Sequence, residues 1–156
     1  MRVLTVSFML AVPSLASAQA VRPVPDVVSY ATAAVNPAWA VVDAWHAPNR
    51  ACRLEQLALS ELVGNGLALT LKHFVASPRP CLGCAPDGFP SGHTMNSAIG
   101  FSRHWQIGLG FTIGTADLRV AAQRHTSKQV AAGAALGVLA EAAGRLRSCP
   151  AIAKSP

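Results

Sequence analysis

The stretch from Ser77 to Pro90 leaves the chain few options. Its fourteen residues include four prolines and two glycines. Proline removes a backbone donor and clashes with the preceding helical turn, so no helix runs through such a stretch. A floppy linker would be richer in glycine and serine; proline at this density makes a rigid, shaped connection. Helices must therefore stop before it and restart after it. On the near side, Leu54, Leu57, Ala58, Glu61, Leu62 and Asn65 recur at three- and four-residue steps and predict a helix over 54–74. Gly64 and Gly66 are unfavourable inside that helix and predict close packing against a neighbour. On the far side, Ser91 can cap a helix running to about Arg103.

The remaining segments read the same way. Val21 to Pro25 reads as an extended leader, and Asp26 as the cap of a helix over 27–45, interrupted near Asn36-Pro37. His46 to Arg53 reads as a loop, with His46 a surface or loop-packing residue. Trp105 to Leu118 is apolar, and Arg119 to Arg124 can continue it. Thr126 or Ser127 caps a last helix to about Arg145, rich in alanine and glycine. Trp39, Trp45 and Trp105 are expected to fill the core, with the lining of an apolar wall as the alternative. No strand alternation and no internal repeat stand out, so the expected fold is all-α, one helical bundle. No segment supplies the roughly 20 apolar residues of a spanning helix. A soluble or surface-associated domain follows, and the apolar excess leaves a peripheral membrane contact open.

Residues 1–18 read as an export signal: Arg2, an apolar run from Val3 to Leu15, then Ala16-Ser17-Ala18 as a cleavage site, with a second option after Ala20. The rival reading is an uncleaved anchor. Export implies an oxidising compartment, most simply a periplasm. The formal charge is +6 and falls to +5 without Arg2, a balance that suits anionic substrates. No basic stripe with interleaved aromatics points to nucleic acid. The four cysteines allow three pairings, of which Cys52–Cys149 and Cys81–Cys84 are preferred. Zinc or redox chemistry at Cys81-x-x-Cys84 are rivals with weaker support. The segment over 150–156 is expected to be a disordered tail.

Three stretches carry the chemistry. Lys72 precedes Arg79-Pro80 by six intervening residues. Pro90-Ser91-Gly92-His93 combines a helix cap, a close-approach glycine and a titratable ring. Arg119 precedes His125 by five intervening residues. In this order and spacing they resemble the type 2 phosphatidic acid phosphatase (PAP2) superfamily, which includes bacterial class A acid phosphatases and vanadium haloperoxidases. The first two motifs are complete. In the third, Leu118 stands where the family has Ser, and Gln129 where it has Asp.

The resemblance implies a metal-independent phosphatase, with no cofactor, acting on phosphate monoesters of a small molecule or lipid head group, or on pyrophosphates. Lys72, Arg79 and Arg119 would clamp the non-bridging oxygens, with the Ser91 hydroxyl and Gly92 N–H as added donors. His125 would be the nucleophile and His93 the general acid and base. Gln129 would orient His125 without the usual charge. Asp87 and Asp117 are candidate substitutes for the missing carboxylate. Arg124 and Lys128 flank His125 and either add positive charge to the site or face solvent. His73 reads as structural. An oxyanion-binding protein with little turnover is the alternative. A vanadate-dependent haloperoxidase ranks below it, since vanadate shares the charge and shape of phosphate.

Overall fold

A computed structural model describes residues 23–101 and 104–150. They form α1 (Pro23–His46), α2 (Arg50–Phe74), α3 (Gly92–Ala98), α4 (Trp105–Ala121) and α5 (Ser127–Arg145). Among the described residues there is no strand, and Ser77 and Asp87 meet in a single-residue bridge, in keeping with the all-α expectation. The expected export signal over 1–18 lies outside the described residues, as does 151–156 of the expected tail.

Small residues set how closely the helices pack. On α5, Gly133, Gly137, Ala140 and Gly144 recur along one side. A Cβ at Gly133 would strike the Ser91 carbonyl, one at Gly137 the Met95 carbonyl, and one at Gly144 the Ser60 side chain and Gln56 carbonyl. The short α3 therefore lies directly on α5, and α2 packs beside it. Met95, Ile99, Ala68, Leu136 and Ala140 form the core between them. Gly64 admits Ile99, Met95 and Ala140, as its place in the pattern predicts, whereas Gly66 faces open space. The buried side of α2 is Ser60, Gly64 and Ala68; Leu62 and Asn65 point outward.

Several boundaries differ from expectation. The leader is not extended: Pro23 and Pro25 sit in the first turn of α1, where a missing N–H costs nothing. Asp26 lies inside that helix as a buried partner of two arginines. Nor does α1 break at Pro37. Buried Asn36 donates to the carbonyls of Ser97 (2.5 Å) and Gly108 (2.9 Å), tying α1 to α3 and α4 and offsetting the proline penalty. The loop expected over 46–53 shrinks to Ala47–Asn49. The helix opened by Ser91 ends at Ala98, and Gly100 turns with φ +83° where a Cβ would meet Asn36 and Ala40. The tryptophans are not core residues; Trp39, Trp45 and Trp105 are 44%, 60% and 55% exposed.

Cys52 is bonded to Cys149, tying the start of α2 to the chain beyond α5, and Cys81 to Cys84 within the loop. Both preferred pairings are present, and these thiols are not metal ligands here. No helix of the described residues is long and apolar enough to cross a membrane.

Gly137→Val should therefore destabilise the fold by about 1–3 kcal/mol through overpacking. Gly66→Ala should leave stability unchanged or raise it by up to about 1 kcal/mol. Urea unfolding of the two variants checks this; equal effects would contradict the packing account.

Candidate functional site

The proline-rich loop closes on itself before it reaches the site. Ser77 N–H donates to the Pro86 carbonyl at 3.0 Å, and Gly88 N–H to the Ser77 carbonyl at 2.8 Å. The Phe89–Pro90 peptide bond is cis. Ser91 then caps α3 as expected, its Oγ accepting from Thr94 N–H (3.5 Å) and Thr94 Oγ1–H (3.1 Å). It is fully buried, and its own N–H donates to the Gln129 carbonyl at 3.0 Å. His93 and Gly92 follow in the first turn, both partly exposed.

A second turn presents His125. After α4, Gln123 adopts φ +60°. Its N–H donates to the Val120 carbonyl (2.9 Å) and that of Arg124 to the Arg119 carbonyl (3.0 Å), a Schellman closure with Gln where Gly is usual. Thr126 then caps α5 in a reciprocal box: Gln129 N–H donates to Thr126 Oγ1, and Thr126 N–H to Gln129 Oε1. His125, between the two devices, is 2% exposed.

Its ring is oriented by a backbone carbonyl. His125 Nδ1 lies 2.8 Å from the Gly88 oxygen and 3.3 Å from Gln129 Oε1. A carbonyl only accepts, so the neutral ring carries its proton on Nδ1 and leaves Nε2 with a free lone pair. Neither candidate substitute carboxylate performs this task. Asp87 accepts from Arg79 Nε at 2.9 Å, and Asp117 is exposed at the solvent side of α4. Gln129 does more than accept: its Nε2 donates to Ser77 Oγ (2.8 Å) and the Pro78 carbonyl (2.9 Å). An aspartate has no hydrogens for those bonds. Gly88 sits so close that a Cβ there would collide with the Gln129 amide.

The cations surround these rings. Arg119 is 2% exposed; its Nη1 donates to Asp26 Oδ1 (2.6 Å) and Ser29 Oγ (3.1 Å), while its buried Nε has no partner. Lys72 Nζ donates to the Asp87 carbonyl at 2.6 Å, so the last turn of α2 places it for more than a dipole contact. Arg124 donates to Asp26 Oδ2 at 2.7 Å, while Lys128 is exposed. Two residues escape a sequence reading. Asp26 looks like a cap, and only the fold carries it to Arg119. Tyr30 has no motif around it; its ring meets His93 edge-on at 4.2 Å and lies 5.8 Å from the Arg119 guanidinium carbon. His46 and His73 lie apart from this group, and His73 packs against Phe74.

Burial and these charges set the protonation states. Desolvation, with Arg119 and Arg79, lowers His125 to about 3 despite the Gly88 hydrogen bond. Desolvation and Arg119 lower His93 to about 4, against an opposing pull from Asp26. Burial likewise pulls Lys72 below its ordinary value. Burial pushes Asp26 up, but the bonds and charges of Arg124 and Arg119 outweigh it and leave the carboxyl below the usual range. These surroundings thus hold neutral rings beside cations.

Among the described residues no three His, Cys, Asp or Glu side chains gather as a metal site. A depression of about 360 Å³ lined by Arg79, Asp87 and Arg124 adjoins the site, while a larger cavity of about 510 Å³ lies at the opposite end, near Asp43 and Glu141. No family model, no curated protein and no solved structure matches this chain.

Both histidines bind protons more weakly folded than unfolded. Their contribution to stability is complete above about pH 6.5 and is lost as pH falls from there toward about 4 for His93 and about 3 for His125. Melting temperature should fall over that window, and fall less in His93→Gln. Parallel curves for wild type and variant would contradict the assignment.

Proposed function

We propose that the chain is an exported phosphatase of the PAP2 type, hydrolysing phosphate monoesters through a phosphohistidine intermediate. The observation that carries this reading is the buried, unpartnered Arg119 Nε beside two neutral histidines and the cations Lys72 and Arg79. A buried donor without an acceptor is costly, and an oxyanion would supply the acceptor. Phosphoryl transfer asks mainly for positioning and charge stabilisation, which such a cluster provides.

In this reaction His125 Nε2 attacks phosphorus, forming a P–N bond as the P–O bond to the leaving group breaks. His93 gives its proton to the departing oxygen. His93 then takes a proton from water as that water attacks phosphorus and releases His125. Burial and the neighbouring cations hold His93 neutral, so its proton must arrive with substrate: a dianion nearby favours the imidazolium. Lys72, Arg79 and Arg119 hold the non-bridging oxygens, with Gly92 N–H and the Ser91 hydroxyl as neutral donors. Asp26 fixes the Arg119 fork. The paired cysteines fit an extracytoplasmic setting such as the periplasm.

One observation favours a second reading, oxyanion binding with little turnover. The group behind His125 is a neutral carbonyl, so the imidazolium formed on phosphorylation lacks a carboxylate partner.

Purified protein should release phosphate from an aryl phosphate, and His125→Ala should abolish this. Arg119→Ala should lower turnover by about 10²–10³. Binding of phosphate without turnover selects the second reading; undiminished turnover in His125→Ala rejects the phosphohistidine route.

A further inference from the structure

The end of the bundle away from His93 and His125 carries a feature with no part in that chemistry. The chain has three tryptophans, and all three stand exposed where α1 ends and α4 begins. Trp39, Val42 and Trp45 are spaced three residues apart and form one ridge along α1. Trp105 opens α4, beside His104, whose ring lies 5.3 Å from that of Trp39. Val42 is 55% and Ile107 51% exposed on the same two helices. The Arg50 guanidinium lies 5.6 Å from the Trp45 ring, and exposed Arg53 follows one turn on.

We infer that this tryptophan rim docks the protein on the surface of an anionic lipid bilayer. Indole rings have an apolar body and a polar N–H, which places them at the level of lipid head groups. Apolar area that enters the interface, joined to cations that meet anionic lipid, is what peripheral binding requires. The charge pattern argues against a second copy as the occupant. A two-fold contact sets this patch against its own copy, like charge facing like charge, since Asp43 there is already beside His104 at 3.6 Å, while an anionic surface pairs with Arg50 and Arg53. Trp45 lies nineteen residues beyond Asp26 along one helix, about 28 Å at the rise of an α-helix. Docking therefore leaves the histidine site clear, and the inference does not depend on catalysis.

The rim can be read directly, because the intrinsic tryptophan emission comes from it alone. The full chain is mixed with vesicles of phosphatidylcholine and phosphatidylglycerol, and with vesicles of phosphatidylcholine only. With anionic vesicles the emission should move to shorter wavelength and be quenched by acyl-chain-brominated lipid. Trp45→Ala with Trp105→Ala should weaken co-sedimentation about tenfold or more. Arg50→Glu should weaken it about tenfold on anionic vesicles only. Circular dichroism of the variants should match wild type, since the rings replaced are exposed. Unchanged emission, equal binding to neutral vesicles, or a blue shift that follows protein concentration without lipid would each overturn the inference. The last would instead indicate contact between copies.

Discussion

Gln129 holds together the three parts from which the site is made. Its amide oxygen closes the cap of α5 and lies near the His125 ring, its amide nitrogen ties down Ser77 and Pro78, and its backbone carbonyl receives the N–H of Ser91. The loop, the start of α3 and the start of α5 thus meet on one buried residue whose side chain both donates and accepts. A carboxylate accepts only, so it could not tie the loop in this way. The glycine at position 88 completes the arrangement, because its missing Cβ is what lets the loop carbonyl reach His125 beside the Gln129 amide.

Electrostatics then divides the site into a rigid and a responsive half. Asp26 pairs with both Arg119 and Arg124 and is itself held ionised by them, so that cluster changes little with pH near neutrality. The two rings are different. Burial and unbalanced positive charge hold both neutral, and a bound dianion would offset that charge. Under the proposed function, anion binding and proton uptake would be linked at His93. The carbonyl behind His125 fixes its tautomer and leaves Nε2 as the free nitrogen.

Local signals in the sequence located much of this. Ser91 and Thr126 are caps with the right residue types, and both cap their helices. The cysteine pairs follow the even count, and Gly64 marks a true close contact. What stayed hidden depends on partners distant in the chain. Asp26 has the local appearance of a cap, yet its charge is satisfied by arginines over ninety residues away. Asn36-Pro37 reads as a break because proline costs a helix, and tertiary bonds from Asn36 outweigh that cost. The tryptophans suggested core by size, but alanine and glycine let the backbones approach too closely to enclose indoles. Gln129 looked like a loss of charge because a motif records a residue's type and not its bonds.

The central claim is that two neutral, cation-flanked histidines await an oxyanion. Histidine ring NMR, titrated with and without inorganic phosphate, measures it most directly. Without phosphate, His93 and His125 should stay neutral well below pH 6, toward values of about 4 and about 3. With phosphate bound, the His93 value should rise by a unit or more, about 1.4 kcal/mol per unit. Ordinary values near 6.5 for both rings, indifferent to phosphate, would contradict the account.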